Sequence, residues 1–236
     1  MTLKEDLLAR VNKFATTPWG PIPNARVVPN PADLTFDNTG ERMDVTVLYS
    51  DVHRSTEMVD TLTDTSAAEY YKAFLHCCAK LIQENGGVIE AYDGDRVMAI
   101  FTGEQQVDNA VKTAWMINHA VNQIINPAFL SAKLLFHRPL KHTVGIDCGQ
   151  VLIAKTGARG EFNNDLVWVG PAANYAAKLN SFNGLDPDYP TRISDRAYAK
   201  LSANLKLRGE ELFWNGPYTD MVKFGHYRSS YHWTFA

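Results

Sequence analysis

The run Val45-Thr46-Val47-Leu48-Tyr49-Ser50-Asp51-Val52 decides the fold. Its β-branched and apolar residues predict a strand, and that strand delivers a carboxylate, Asp51, to its end. A second stretch works the same way: Gly86-Gly87-Val88-Ile89-Glu90-Ala91-Tyr92-Asp93-Gly94-Asp95-Arg96-Val97-Met98. Here Val88 to Tyr92 and Arg96 to Phe101 flank Asp93-Gly94-Asp95 as a β-hairpin. Two carboxylates at adjacent strand ends form a pocket for hard divalent cations, the usual handle on a triphosphate. Each Asp alone has a structural reading, because Asp-Gly is a common hairpin turn and an Asp after a strand often starts a helix. Segments further along the chain tilt the pair toward chemistry.

Outward from these strands, Val52 to Thr63 reads as a short helical stretch. Ser66 to Asn85 reads as an amphipathic helix with Tyr70, Phe74, Cys77, Cys78, Leu81 and Ile82 on one apolar face, closed by Asn85-Gly86-Gly87. Glu104 to Ile125 predicts a second long helix. Residues 126–139 give no clear pattern. His142 to Cys148 and Val151 to Thr156 read as a strand pair around Gly149, and Leu166 to Val169 as a short strand. Pro171 to Asn180 opens on a helix-starting Pro and is rich in Ala. Ser194 to Leu201 is a shorter helix, and Leu205 to Ala236 is an aromatic, β-prone tail. The expected class is α+β, with a βααββαβ core and helices packed on a largely antiparallel sheet. Ahead of this domain (42–236), residues 1–41 form a helix with Leu7, Leu8, Val11 and Phe14 at helical spacing, then an arm broken by Pro18, Pro21, Pro23, Pro29 and Pro31.

Composition narrows the function classes. The 236 residues are 45% hydrophobic and 21% charged, with net charge -3, so no global field draws in nucleic acid or an acidic membrane. Three cysteines, two of them adjacent, make no disulfide framework and read as small core side chains in a reducing compartment. The charged N-terminus lacks a signal-peptide core and no apolar run reaches membrane-spanning length, so the expectation is a soluble cytoplasmic protein. Seven histidines show no paired ligand spacing, Ser50 has no nucleophile elbow, and Gly145 and Gly149 lack the Lys-Ser/Thr ending of a P-loop. Lys112, Lys133, Arg138 and Lys141 are expected to be solvated.

With these residues in place, the chain resembles the class III nucleotidyl cyclase catalytic domain over about Val45 to Leu179. Four segments carry the resemblance: Tyr49-Ser50-Asp51-Val52 with Thr56; Gly86-Gly87 with Gly94-Asp95; Val144-Gly145-Ile146-Asp147-Cys148-Gly149-Gln150-Val151; and Val169-Gly170-Pro171-Ala172-Ala173-Asn174-Tyr175-Ala176-Ala177-Lys178-Leu179. The resemblance implies a ferredoxin-like palm, two divalent ions (Mn²⁺ or Mg²⁺) held by Asp51, Asp95 and the Val52 carbonyl, and a phosphate cradle from Val52 to Thr56 that includes His53, Ser55 and Thr56. It implies that Asn174 orients the ribose. Where the family has an Arg one turn later, this chain has Lys178, which supplies charge without a planar fork. It further implies a head-to-tail homodimer, with carboxylates from one copy and the Asn174 helix from the other. A cyclase-like module that binds nucleotide without turnover is the competing class, and Lys178 is its best support.

Departures from the family pattern bear on the base. The two positions that contact the purine edge in adenylate and guanylate cyclases are Ala91 and Val167 here, and neither side chain forms hydrogen bonds. Tyr49 and Arg96 stand where the family usually has Phe and a small residue. A narrower pocket with these polar groups suits a pyrimidine. The combination resembles the pyrimidine cyclases of bacterial antiphage (Pycsar) systems, which make cyclic UMP or cyclic CMP to activate a separate effector. Arg96 has only donors, which favours the O4 carbonyl of uracil over the N4 amine of cytosine. UTP is therefore the expected substrate, with CTP, or ATP in an atypical pocket, as alternatives.

Overall fold

The computed structural model describes residues 1–132, 139–157, 164–181, 186–219 and 224–235. Lys133 and Arg138, read above as solvated, lie outside the described residues. The chain divides into two compact units, Met1–Asp44 with Gln150–Pro171, and Val45–Gly149 with Ala172–Ala236.

In chain order the elements are α1 (Leu3–Thr16), β1 (Glu41–Val52), α2 (Ser55–Thr61), α3 (Asp64–Glu84), β2 (Val88–Asp93), β3 (Arg96–Phe101) and α4 (Gln106–Ala120). A π-helical turn over Val121–Ile125 leads into α5 (Asn126–Ser131). Then come β4 (His142–Gly157), β5 (Asn164–Val169), α6 (Pro171–Ser181), β6 (Thr191–Ser194), α7 (Asp195–Lys200) and four short strands, β7 (Leu207–Arg208), β8 (Glu211–Leu212), β9 (Asn215–Tyr218) and β10 (His226–Ser229).

In the smaller unit, α1 starts on a capping box, with Thr2 and Glu5 satisfying each other's backbone amides. None of its residues is buried. Lys13 and Arg10 pair with Asp37 of the arm, and the Arg10 guanidinium lies 4.6 Å from the Phe14 ring. The far half of β4 pairs antiparallel with β5, from Leu152 opposite Val169 to Gly157 opposite Asn164.

In the larger unit, the strands run in the order β2-β3-β1-β4-β6-β10-β9. β1 pairs antiparallel with β3, and β4 pairs parallel with β6, so the sheet is largely antiparallel. The core gathers on one face, where Leu48, Val97, Ala99 and Phe101 meet Phe74, Cys78 and Ile82 of α3 and Val111, Ala114 and Trp115 of α4. Burying such side chains supplies about 1.5–3 kcal/mol each, which is why α3 keeps its apolar stripe in register with the sheet. The aromatic tail belongs to this core: Phe213, Trp214, Tyr231 and Trp233 surround Trp115 at ring distances of 5.4, 5.6, 4.7 and 6.4 Å.

Three expectations change. Residues 142–157 are one continuous strand rather than a hairpin about Gly149. That glycine has φ +144, and the antiparallel partner is β5. The second long helix ends at Ala120, where the π turn begins. Strand β6, absent from the sequence reading, is short, polar at three of its four positions, and fully buried.

Candidate active site

The local geometry starts with register. Tyr49 on β1 lies opposite Met98 on β3, and Met98 lies opposite Ala91 on β2. Directly paired residues share a sheet face, so Tyr49, Met98 and Ala91 form one row. A β-bulge makes this row possible. Ile89 pairs with Ala99 and Ala91 with Met98, leaving Glu90 between them outside the register. Simple alternation would put Ile89 and Ala91 on the same face. The bulge lets Ile89 pack on the core while Ala91 joins Tyr49 on the other side. The Tyr49 hydroxyl donates to Met98 Sδ at 3.1 Å. Burial raises its pKa, and the Arg96 charge opposes that rise.

Asp51 follows two residues later on the same face of β1. Asp95 occupies the two-residue turn between β2 and β3, beside Gly94, whose φ of +61 suits the left-handed conformation. The two carboxylates lie close together. Burial pushes the Asp51 carboxyl up to about 6, and the charge of Asp95 pushes it the same way. Arg96 opposes both by donating to Asp51 Oδ2 from Nε at 3.2 Å and from a terminal nitrogen at 3.0 Å. Asp51 Oδ1 and Asp95 Oδ2 are buried without a hydrogen-bond partner. Such groups are costly to bury unless something satisfies them.

These residues fit a divalent ion. Mg²⁺ and Mn²⁺ take hard oxygen donors, and sites for Mg²⁺ with nucleotides use one or two carboxylates plus phosphate oxygens and water. The two unpartnered carboxylate oxygens meet that description. Among the described residues no group of three or more His, Cys, Asp or Glu side chains is placed to hold a metal, so any further ligands come from backbone, water or substrate.

Beyond Val52 the chain turns through Arg54, which has φ 58, into α2 at Ser55. The His53 amide donates to the Lys141 carbonyl at 2.9 Å and anchors the turn. Ser55 is half-buried and Thr56 exposed. Tyr71, which sequence reasoning missed, completes this side. Its hydroxyl lies 3.5 Å from the Ser55 carbonyl, and burial together with the Asp95 and Asp51 charges raises its pKa. The apolar stripe of α3 hid it, since Tyr71 sits off the face that the periodicity marks.

Asn174 and Lys178 lie one turn apart on α6, both exposed. Neither forms a hydrogen bond or ion pair with the described residues around Asp51 and Asp95. Helix α6 lies directly on β4, because a Cβ at Gly145 would collide with the Ala176 carbonyl and the Asn180 amide. The orientation of the Asn180 side chain that satisfies its neighbours donates to the Thr143 carbonyl at 3.0 Å and the Tyr49 carbonyl at 3.2 Å. On the same helix, Tyr175 carries two cations on its ring, Lys178 Nζ at 5.6 Å and the Arg196 guanidinium at 5.1 Å. Arg196 is itself held by fully buried Asp147 through Nε at 2.6 Å and a second bond from a terminal nitrogen. Burial raises the Asp147 pKa and Arg196 lowers it. Asp147 and Tyr175 stand in the quoted segments but were given no role, and Arg196 was not singled out, because no spacing links positions 147, 175 and 196. Val167, on β5 in the smaller unit, is partly exposed.

Comparisons with known proteins agree with this architecture. No family model matches the chain. It is 42% identical to a uridylate cyclase of Burkholderia cepacia over 237 residues, covering 99% of this chain and 100% of the relative. It is 41% identical to a uridylate cyclase of Xanthomonas perforans, covering 99% of each chain. The crystal structure of the guanylyl cyclase Cya2 superposes with a TM-score of 0.66 at 18% identity, covering 82% of this chain and 94% of that one, which shows a shared fold. No helix among the described residues is long and apolar enough to cross a membrane. The chain belongs to the uridylate cyclase family, has the class III cyclase fold, and is a nucleotidyl cyclase, a phosphorus–oxygen lyase.

Proposed function

We propose that the chain converts UTP to 3′,5′-cyclic UMP and pyrophosphate. One observation carries the choice of base: the row Tyr49, Met98, Ala91 runs up to Arg96 and Asp51, and Ala91, at a position that reads the purine edge in the family, has no hydrogen-bonding group. Tyr49 narrows this face, and Arg96 offers donors to the O4 carbonyl of uracil. Cytosine presents a donor there, and Arg96 has nothing to accept it. The relatives' name, uridylate cyclase, supports the same substrate.

In the reaction the ribose 3′-hydroxyl gives its proton to water, its oxygen attacks the α-phosphorus, the bond from that phosphorus to the α–β bridging oxygen breaks, and pyrophosphate leaves with that oxygen. Asp51, Asp95 and the Val52 carbonyl would hold two divalent ions, Mn²⁺ in preference to Mg²⁺, which when bound would supply Lewis acidity toward the 3′-hydroxyl and the phosphates. The residues from Val52 to Thr56, with His53, Ser55 and Thr56, surround the phosphates at the turn into α2. Asn174 orients the ribose, and Lys178 meets the charge that builds on the α-phosphate. The exposed positions of Asn174 and Lys178, unpaired with Asp51 and Asp95, support a homodimer in which each site takes its carboxylates from one copy and its α6 from the other. In keeping with the resemblance to the Pycsar cyclases, the product is a cytoplasmic signal for antiphage defence, read by a separate effector.

Competition tests the base assignment. Excess ATP is expected to leave UTP turnover nearly unchanged. Strong inhibition by ATP would instead favour an adenylate cyclase with an atypical pocket.

A further inference from the structure

The two carboxylates do not present equivalent oxygens. Asp51 Oδ1 and Asp95 Oδ2 are buried and accept no hydrogen bond, while Asp51 Oδ2 accepts two from Arg96, at 3.0 and 3.2 Å. A cation at Asp51 Oδ1 and Asp95 Oδ2 meets no competitor. A second cation that shares Asp51 must use Oδ2, and there the guanidinium already sits. Both are cations seeking the same lone pairs, so they exclude each other.

We propose that Arg96 is a gate on the second ion position, released from Asp51 only when that position fills, and that the released guanidinium is the group that reaches the pyrimidine. This rests on the reading that Asp51 and Asp95 hold the divalent ions. Arg96 follows Asp95 directly in the chain, and its guanidinium is held on Asp51, two residues from Tyr49 on the same face of β1, so it already sits at the end of the base-side row. The side chain is about one third exposed, which leaves it room to move. The consequence is linkage: metal occupancy and recognition of the base are coupled through one side chain, and the coupling is reciprocal. The first ion then binds independently of nucleotide. The second binds well only with a triphosphate that brings its own oxygens and accepts Arg96 at its base.

The test counts Mn²⁺ bound to nucleotide-free protein by electron paramagnetic resonance of the free ion. Wild type is expected to bind one Mn²⁺ tightly per chain. Arg96→Gln should take up a second, with affinity at that position at least about fivefold tighter than in wild type, the lower end of ordinary coupling between sites. The same variant should lose its preference for UTP over ATP. Arg96→Lys, which keeps the charge but not the fork, should fall between the two and keeps the test open if Arg96→Gln does not fold. Identical stoichiometry and affinity in wild type and both folded variants would overturn the gate. Tighter Mn²⁺ binding with an unchanged UTP preference would overturn the transfer to the base. Asp51→Asn separates the two ideas: if it binds Mn²⁺ as wild type does, the carboxylate reading itself fails, whatever Arg96 does.

Discussion

Lys178 Nζ lies 5.6 Å from the centre of the Tyr175 ring, three residues earlier on α6, and Arg196 holds the same ring from 5.1 Å. A lysine has four rotatable bonds and no planar fork, so on an exposed helix face its ammonium samples a wide volume. An aromatic face narrows that volume, and an exposed cation–π contact is worth about 0.5–1 kcal/mol. Tyr175→Leu is therefore predicted to lower kcat by about two- to fivefold with little change in KM, while Tyr175→Phe, which keeps the ring, stays near wild type. Lys178→Ala should cost far more, about 10²-fold or greater in kcat, as expected for loss of a group that meets developing charge. Equal loss in Tyr175→Phe and Tyr175→Leu would show that the hydroxyl matters and the ring does not.

The carboxylates give a sharper expectation. Asp51→Ala or Asp95→Ala removes a charged oxygen donor that the fold has already buried beside another. Each variant should lose at least about 10²-fold in turnover. Each should also lose the rise in melting temperature that Mn²⁺ gives the wild type, because an ion that binds only the folded state stabilises it. Retention of activity within tenfold of wild type in either variant is the result that the two-metal assignment does not survive.

Much of this was legible in the sequence, and the reasons are physical. β1 and the β2–β3 hairpin announce themselves because a half-buried strand needs β-branched residues and a two-residue turn needs Gly at a left-handed position. α3 is legible because its periodic stripe is the buried face. The bulge at Glu90 is not legible, since nothing in Ile89-Glu90-Ala91 distinguishes a bulge from regular alternation, and yet it decides which face Ala91 occupies. Gly149 misled in the opposite direction: a glycine between two apolar runs reads as a turn, and here it lets one long strand pass through an unusual φ. The contact of Arg96 with Asp51, and the chain from Asp147 through Arg196 and Tyr175 to Lys178, are tertiary pairings between distant positions, which local pattern does not encode.

The exposed pair on α6 leads to a complementation experiment. Asp51→Ala and Asn174→Ala are each expected to be inactive as homodimers. Mixed and re-equilibrated, they should form heterodimers with one wild-type site and recover up to about half the wild-type activity per heterodimer. Verified heterodimers that recover nothing would mean that the two sets of residues act within one copy.

Acid stability tests a different part of the fold. His142 is buried beside Phe74, its Nε2 has no hydrogen-bond partner, and burial lowers its pKa from 6.5 to about 3. Below pH 6.5 the unfolded chain binds a proton that the folded chain refuses, so acid favours unfolding. Stability should be intact above that pH and fall as the pH drops from about 6.5 toward 3. Between pH 7.5 and pH 5 the histidine's share of the loss is about 2 kcal/mol, one proton over roughly 1.5 pH units. Urea melts at the two pH values should show that difference in wild type and a much smaller one in His142→Leu. Equal pH dependence in both proteins would place the titrating group elsewhere.

The most direct measurement is product identification. Purified protein is incubated with Mn²⁺ and each of ATP, GTP, CTP and UTP, and the products are identified by mass and by comparison with authentic cyclic nucleotides. The arrangement of Tyr49, Ala91, Arg96 and the two carboxylates predicts 3′,5′-cyclic UMP as the dominant product, with pyrophosphate in equal amount. A cyclic purine as the dominant product would contradict the account of the base-side row, and cyclic CMP would contradict the role given to Arg96.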